Sequence, residues 1–273
     1  MAKKNDNPFL ERYGEWALIA GAAEGVGAGF SEILAQKGMN LVMADVRETP
    51  LHELADKLRT SQGIQVIEIR QDLSEENAAE NCLNRIKEVD CRLLVYVPAY
   101  SRVKSFYHHS HEELDKYIDL NARTPLQIVH AFVNHLKGSH KGGGIILMSS
   151  LAGITGSKYI SPYAATKAFN ILLSTSLFFE LKEKGVDILA CCAGPTDTPG
   201  LRSSEPQMKG SWPGVSDPLD VARHAVKNLG RKPVCIPGWK NRFSSFILTR
   251  FLSRKQAVKI VCDSMEKIYP VNP

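Results

Sequence analysis

Seven short aliphatic runs alternate along the chain with segments of helical periodicity, and this alternation limits the possible folds more than any other feature. The runs are WALIA at 16–20, NLVMAD at 40–45, IQVIEI at 64–69, RLLVYV at 92–97, GIILMS at 144–149, VDILAC at 186–191 and PVCIP at 233–237. Most are apolar at nearly every position, as expected for strands that helices cover on both faces. The pattern predicts an α/β fold with a doubly wound, seven-stranded parallel sheet of the Rossmann type, flanked by helices.

The 273 residues are predicted to form one domain, over residues 1–239, and a basic helical extension over residues 240–273. The extension contains seven Lys and Arg against two acidic residues, whereas the rest of the chain is balanced, so the net charge of +5 comes from the extension. Between Phe243 and Tyr269 apolar residues alternate with basic ones, which is typical of an amphipathic helix. This face could cover another subunit, rest on an anionic membrane surface or attract nucleic acid, and packing within an oligomer is the preferred interpretation.

The cysteines and the N-terminus predict a cytoplasmic protein without metal. Six cysteines, at positions 82, 91, 191, 192, 235 and 262, show no CxxC spacing and favour reduced, buried thiols. The stretch MAKKNDNPFLERYGEW is charged and lacks the apolar core of a signal peptide, and no transmembrane helix is expected. His108, His109 and His111 have no nearby carboxylate or cysteine cluster and are interpreted as solvated loop residues.

The turn GAAEGVG at 21–27 follows the first strand and leads into a helix. Such a turn presents free backbone N–H groups and the positive end of a helix dipole, where a pyrophosphate can bind, although a tight turn alone also needs glycine. Asp45 ends the second strand, where a carboxylate can bind ribose hydroxyls and repel a 2′-phosphate. NAD is therefore predicted over NADP. Glu24 adds negative charge, while Arg47 keeps NADP possible.

Tyr163 and Lys167 lie four residues apart, so in a helix both side chains share one face. A phenol with a pKa near ~10 is a poor acid or base at neutral pH, but a neighbouring ammonium lowers that pKa. The pair therefore predicts a usable proton donor or acceptor at Tyr163. Taken alone, the same spacing also occurs on solvated helix faces.

In combination these features resemble the classical type of the short-chain dehydrogenase/reductase family. The resemblance rests on the glycine turn, Asp72-Leu73 after the third strand, Asn121, Ser150 thirteen residues before Tyr163, Lys167, and AGPTDT at 193–198, and it extends over about residues 14–238. It implies that Tyr163 is the catalytic acid/base, that Lys167 lowers its pKa and holds the nicotinamide ribose, that Ser150 steadies the substrate oxygen, and that Asn121 keeps a proton-relay water in place. Ser149 is the competing serine, but its spacing fits less well.

The resemblance also implies a cofactor site, no metal, and an oligomer. The implied cofactor-binding residues are Gly21, Glu24, Gly25, Val26, Gly27, Asp45, Asp72, Leu73, Ala99, Tyr163, Lys167, Gly194, Thr196 and Thr198. A cap for Ser150, a core amide for Asn121 and a turn for Thr198 are the structural alternatives. Family members commonly form homodimers or homotetramers through long helices, here Asn121–Leu136 and Tyr163–Lys182. No nucleic acid partner is expected.

Two segments depart from the family pattern, on the adenine side of the expected cofactor site. The chain has Val97-Pro98-Ala99-Tyr100 where the family usually has two asparagines, alanine and glycine, and Ala20 where a threonine usually precedes the first glycine. Pro98 cannot donate a backbone hydrogen bond. The departures put cofactor affinity in question more than the chemistry.

The implied reaction is hydride transfer between nicotinamide C4 and a substrate carbon, which interconverts a hydrophobic secondary alcohol and a ketone, or an alcohol and an aldehyde. The segment PGLRSSEPQMKGSWPGV at 199–215 predicts a mobile lid, and its isolated Leu201, Met208 and Trp212 favour a hydrophobic substrate. Two other functions stay open. One is a membrane-peripheral lipid or acyl ketone reductase that uses residues 243–269 as its membrane contact, and the other is a non-catalytic NAD-binding regulator.

Overall fold

The computed structural model describes residues 7–137, 142–207 and 214–269. Its seven strands form one parallel sheet in the order β3-β2-β1-β4-β5-β6-β7, which confirms the predicted architecture. The strands are β1 Trp16–Ala20, β2 Asn40–Asp45, β3 Val66–Arg70, β4 Cys91–Tyr96, β5 Gly143–Ser150, β6 Val186–Ala193 and β7 Val234–Cys235. The last strand is shorter than the run PVCIP because only two of its residues pair with β6.

Twelve α-helices lie among the described residues. They are α1 Pro8–Tyr13, α2 Gly25–Gln36, α3 Glu48–Gln62, α4 Ala78–Asn84, α5 His111–Ile118, α6 Thr124–Leu136, α7 Ala152–Thr155, α8 Ser161–Lys182, α9 Pro199–Arg202, α10 Pro218–Asn228, α11 Trp239–Arg250 and α12 Arg254–Ile268. A short 3₁₀-helix covers Phe106–His108, and a π-helical stretch, Asp119–Arg123, joins α5 to α6. None of the helices in these ranges is long and apolar enough to cross a membrane.

Successive residues of β1 show how the sheet is covered. Ile19 packs on one face with a cluster that includes Phe30 of α2, whereas Leu18 packs on the other face with Phe132 of α6 and Phe178 of α8. Strands that are buried on both faces need apolar side chains at every position, which explains why the runs do not alternate. The buried sheet fixes the positions of the loops at its carboxyl edge.

The C-terminal extension forms two helices instead of one continuous helix. Helix α11 ends at Arg250, and Ser253 starts α12 with a capping box in which its hydroxyl accepts from the backbone N–H of Gln256. Both helices return to the carboxyl edge of the sheet, where α12 contacts α7. The predicted boundary at residue 239 falls at the first residue of α11.

Candidate active site

One cleft of about 1610 Å³ runs along the carboxyl ends of the strands. It crosses the point between β1 and β4 where the strand order reverses, which is the usual ligand position in doubly wound sheets. The predicted residues that line it are Gly21, Glu24, Gly25, Val26, Asp45, Asp72, Leu73, Ala99, Ser150, Tyr163, Lys167, Gly194, Thr196 and Thr198. Gly27 and Asn121 do not line the cleft. The structure therefore brings all but two of the predicted residues together.

The glycine turn combines an open path to the helix N-terminus with a tight backbone contact. Gly21 and Gly25 have φ values of 76° and 56°, which favour glycine, and α2 begins at Gly25. A Cβ on Gly27 would lie 1.7 Å from the carbonyl oxygen of Gly21, so this glycine is required for packing of α2 against the turn. The N-terminus of the 12-residue helix α2 therefore meets the cleft without an intervening side chain.

Three charged side chains stand together beside the glycine turn. Asp45 is buried at the end of β2, where Oδ2 accepts from the Ala23 backbone N–H at 3.0 Å and Oδ1 accepts from the Arg47 backbone N–H at 3.1 Å. The Arg47 guanidinium lies between Asp45 and Glu24 and pairs with both. Together the three groups carry one net negative charge, so Arg47 is already neutralised by carboxylates of the same chain.

Asn121 lies behind the cleft wall and fixes the segment that departs from the family pattern. Its Oδ1 accepts from the Tyr100 backbone N–H at 2.7 Å, and its Nδ2 donates to the Tyr100 carbonyl at 2.9 Å and to Thr166 Oγ1 at 3.1 Å. Pro98 fills the space beside the glycine turn, since a Cβ on Gly21 would lie 2.7 Å from Pro98 Cγ. The π-helical stretch aims Asn121 at this segment.

Ser150, Tyr163 and Lys167 meet in the middle of the cleft. Ser150 ends β5, and the other two lie on the first turns of α8, one turn apart. The Ser150 hydroxyl accepts from the Ala152 backbone N–H at 3.2 Å and lines the cleft beside Tyr163. The Ser149 hydroxyl instead donates to the Lys167 carbonyl at 2.8 Å. Both serines line the cleft, and the preference for Ser150 over Ser149 stays a prediction.

The pKa of Tyr163 shifts in the direction opposite to the one that the sequence predicts. Lys167 Nζ donates to the Met148 carbonyl at 2.9 Å and lies 5.7 Å from the centroid of the Tyr163 ring. Desolvation raises the pKa of Tyr163, and desolvation lowers the pKa of Lys167 to about 8. The direction of the Tyr163 pKa shift is opposite to the expected one, because the cost of burying the charged phenolate is its largest cause. The Tyr163 phenol is protonated at neutral pH.

The far end of the cleft has apolar walls from the C-terminal extension. Ile247 and Leu248 of α11, Leu252, and Val261, Met265 and Ile268 of α12 line it. The sequence suggested that this extension covers another subunit, rests on a membrane surface or attracts nucleic acid. It did not predict that the extension lines the cleft of its own chain. The spacing of Val261, Met265 and Ile268 indicates one helix face, but a sequence does not state what such a face contacts. Leu201 also lines the cleft, whereas Met208 and Trp212 lie outside the described residues.

Three contacts hold α12 over the cleft. Glu266 pairs with Lys158, which precedes α8. Tyr269 Oη lies 2.8 Å from Ser204 Oγ, and the Gln207 backbone N–H donates to the Ile268 carbonyl at 2.9 Å. All three join residues 266–269 to the segments that follow β5 and β6.

The histidines after β4 are not all solvated as expected. His109 is buried edge-on against Tyr117, with ring centroids 5.6 Å apart, and burial lowers the pKa of His109. His108 and His111 are exposed. Across residues 7–137, 142–207 and 214–269, no group of three or more His, Cys, Asp or Glu side chains could hold a metal ion.

Comparisons with known proteins identify the family of this chain. The family described as short chain dehydrogenase matches residues 15–209. The 7beta-hydroxysteroid dehydrogenase of Collinsella aerofaciens is 32 % identical over 240 residues, which cover 86 % of this chain and 90 % of that protein. A solved 7beta-hydroxysteroid dehydrogenase structure superimposes with a TM-score of 0.86 at 29 % identity, over 93 % of this chain and 98 % of that chain. The solved structure of the bulky-bulky ketone specific alcohol dehydrogenase of Comamonas testosteroni superimposes with a TM-score of 0.73 at 26 % identity, over 87 % of this chain and 92 % of that chain. The chain therefore belongs to the short-chain dehydrogenase family and is a nicotinamide-dependent oxidoreductase that interconverts secondary alcohols and ketones.

Proposed function

We propose that the enzyme reduces a bulky, hydrophobic ketone, of about the size of a steroid, and that Tyr163 donates the proton. The observation that carries this proposal is the position of a protonated phenol between two unlike ends of one cleft. A polar, glycine-lined end lies on one side of Tyr163, and a large apolar end built by α11 and α12 lies on the other. The names of the hydroxysteroid and bulky-ketone relatives support the same substrate class.

Three side chains perform the proton chemistry in this proposal. Lys167 would hold the ribose of a nicotinamide, which would supply hydride to the substrate carbon, and negative charge would then develop on the substrate oxygen. Ser150 and Tyr163 donate hydrogen bonds to this oxygen, and Tyr163 then transfers its proton. Lys167 is charged below about pH 8, and its ammonium stabilises the phenolate that remains. In the reverse direction Tyr163 must first lose its proton, which its raised pKa disfavours.

Asn121 acts as a positioning residue in this scheme. It holds both backbone polar groups of Tyr100 and is itself fully buried. The role that the family resemblance implies, to keep a proton-relay water in place, stays a prediction, because the amide group lies behind the wall of the cleft. Its contacts with Tyr100 also support a role in shaping the adenine side.

The residues at the polar end fit a dinucleotide. Its pyrophosphate would lie at the N-terminus of α2, where a Cβ on Gly25 would approach the Thr198 side chain to 2.8 Å. Lys167 would hold the nicotinamide ribose. We propose NAD over NADP because Asp45, Glu24 and Arg47 together remain negative and disfavour a 2′-phosphate.

The proposal also covers the oligomeric state, the location and the partners of the enzyme. Leu126 on α6 and Leu172 and Phe179 on α8 are exposed apolar side chains, which supports a homodimer or homotetramer formed through these helices. Six free cysteines, five of them buried, support a cytoplasmic location. A ketone substrate and no nucleic acid partner are proposed.

The test is oxidation of reduced cofactor, followed by its absorbance, with NADH and NADPH against ketones that range from acetone to a ketosteroid. We expect turnover with NADH and a kcat/KM that increases with the size of the apolar ketone. Cofactor binding without turnover across the whole range would favour the regulator instead. Higher kcat/KM for the smallest ketones would contradict the assigned substrate class, and higher kcat/KM with NADPH would contradict the cofactor preference.

A further inference from the structure

Exposed aromatic side chains are concentrated in the C-terminal extension. Of thirteen large apolar side chains that are exposed in the described residues, five lie between residues 239 and 260. Four of these five are aromatic, namely Trp239, Phe243, Phe246 and Phe251, and each is at least 53 % exposed. No other segment of comparable length in the described chain has so many exposed large apolar side chains.

These four side chains form one surface, which we call the aromatic face. Trp239, Phe243 and Phe246 are spaced at i, i+4 and i+7 and therefore lie on the same side of α11. The ring of Phe251 packs edge-on against Phe246, with centroids 5.5 Å apart. The opposite side of α11 carries the buried Asn241 and the cleft-lining Leu248. The helix thus has an inner face toward the cleft and an outer aromatic face, and Phe243 lies at the border between them, where it is exposed and also lines the cleft.

Basic side chains surround the aromatic face. Arg242 and Arg250 lie on α11 and Arg254 begins α12, and none of the three forms an ion pair with a carboxylate in the described part of the chain. Beside Phe246, Arg242 and Lys232 line a shallow depression of about 390 Å³ together with the hydroxyls of Ser245 and Thr249. A shallow depression with two cations and two hydroxyls suits a phosphate-bearing headgroup.

The acidic residues of the extension do not offset this positive charge. Asp263 pairs with Lys259 and Glu266 pairs with Lys158, so both carboxylates of α12 are already matched by lysines. A second copy of the chain is a poor occupant of the aromatic face. Symmetric pairing would bring Arg242, Arg250 and Arg254 of both copies together, and like charges oppose such pairing.

We propose that the aromatic face docks on the surface of an anionic lipid bilayer. Aromatic rings at the headgroup level with flanking Lys and Arg are the combination that holds an interfacial helix on such a surface. The rings would enter the headgroup region, and the depression beside Phe246 would receive a lipid phosphate. Docking needs no membrane-spanning segment and no change in the cleft.

Docking of the aromatic face would bring the mouth of the cleft close to the bilayer. The role of this arrangement in substrate uptake rests on the proposed function. Phe243 and Ile260 are exposed to solvent and also line the cleft. The mouth of the cleft therefore opens next to the aromatic face. A ketone with low solubility in water would pass from the bilayer into the apolar end of the cleft without crossing bulk water.

The experiment is co-sedimentation of the full chain with vesicles of phosphatidylcholine alone and of phosphatidylcholine mixed with phosphatidylserine. We expect binding to the mixed vesicles that weakens as salt increases. The double variant Phe246→Ser/Phe251→Ser should lose at least about tenfold in vesicle affinity. Neither residue lines the cleft, so turnover of a water-soluble ketone should be unchanged and shows that the variant is folded.

Tyr107→Ser is the matched control, because Tyr107 is 94 % exposed and lies in the segment after β4, outside the extension. Its vesicle affinity should equal that of the unmodified enzyme. Arg250→Gln/Arg254→Gln should weaken binding to the mixed vesicles and reduce its salt dependence. Vesicle binding does not require turnover, so a chain that binds vesicles but reduces no ketone would contradict the proposed function and leave the docking proposal standing.

Three results would overturn the docking proposal. They are no binding to mixed vesicles, equal binding to both kinds of vesicle with no salt dependence, and equal losses in Tyr107→Ser and the double phenylalanine variant. Light scattering identifies the alternative occupant. If the double variant converts an oligomer to a smaller species while vesicle binding is absent, the aromatic face is an interface between copies of this chain.

Discussion

The two ends of the cleft are built differently. The polar end and the centre are held by the sheet and by α8. Helix α8 has seven buried residues. The apolar end is covered by α11 and α12, each of which has a single buried residue, Asn241 and Ala257 respectively. Local stability follows buried contacts, so we expect the chemical groups to be rigid and the substrate wall to open more readily.

This difference separates chemistry from specificity. Tyr163 and Lys167 lie on the same long helix and share a fixed geometry, so a small ketone and a large one meet the same proton donor. The apolar wall meets only the part of a substrate that extends beyond the reacting carbon. Changes at the centre should therefore affect every substrate, whereas changes at the wall should affect bulky substrates more.

Tyr163→Phe should have the largest effect. Loss of the hydroxyl removes the proton donor and one hydrogen bond to the substrate oxygen, and we expect kcat to decrease by about 10²–10⁴-fold for small and bulky ketones alike. Cofactor affinity, measured by fluorescence titration of NADH, should change little. A variant that lost activity toward bulky ketones alone would contradict the separation of chemistry from specificity.

The same separation explains what the sequence could predict. The seven strands, the glycine turn, and Ser150, Tyr163 and Lys167 were recognisable because backbone geometry fixes their spacing: parallel strands end at one edge, and residues four apart share a helix face. These elements depend on local patterns, so a single sequence contains most of their information.

The remaining features depend on tertiary contacts that local patterns do not encode. The pKa of Tyr163 depends on how far the cleft is desolvated, which is why the expected direction was wrong. His109 is buried only because Tyr117 of the next helix packs against it. The apolar stripe of α12 was visible in the sequence, but the surface that it contacts is set by the distant residues Lys158 and Ser204.

The pH dependence of reduction should report on the centre of the cleft alone. The pKa of Lys167 is lowered to about 8, so its ammonium loses a proton as the pH rises through this value, while Tyr163 stays protonated because its pKa is raised. Without the ammonium, the phenolate left after proton transfer is less stable. We expect kcat/KM for reduction, at saturating NADH, to be level below about pH 8 and to decrease by about tenfold per pH unit above it.

The profile should be the same for small and bulky ketones, since the apolar wall carries neither titrating group. A rate that stays level to about pH 10 would show that the charge of Lys167 does not assist the reaction. A profile that differs between ketones of different size would show that the two ends of the cleft are coupled.

The ion pair between Glu266 and Lys158 gives the smallest and most selective effect. Both side chains are about half exposed, and such pairs contribute ~0.2–1 kcal/mol. Glu266→Gln should therefore loosen α12 without unfolding it and raise KM for a bulky ketone by about two- to fivefold, while kcat for a small ketone stays unchanged. The measurement is steady-state kinetics with both ketones at low and high salt, and the difference in KM should vanish at high salt because screening weakens the pair in the unmodified enzyme.

Asp263→Asn is the matched control for the ion pair between Glu266 and Lys158, because it removes the same charge from the same helix. Asp263 pairs with Lys259 within α12, so its ion pair does not attach α12 to another element. Its KM for bulky ketones should be unchanged, and Lys158→Met should reproduce the effect of Glu266→Gln without adding to it, since both variants break one contact. Equal KM changes in Asp263→Asn and Glu266→Gln would mean that the charge of α12, and not its attachment, controls the substrate end. A decrease in kcat for small ketones would mean that the substrate wall also positions the chemical groups, and the contrast between the two ends would then be wrong.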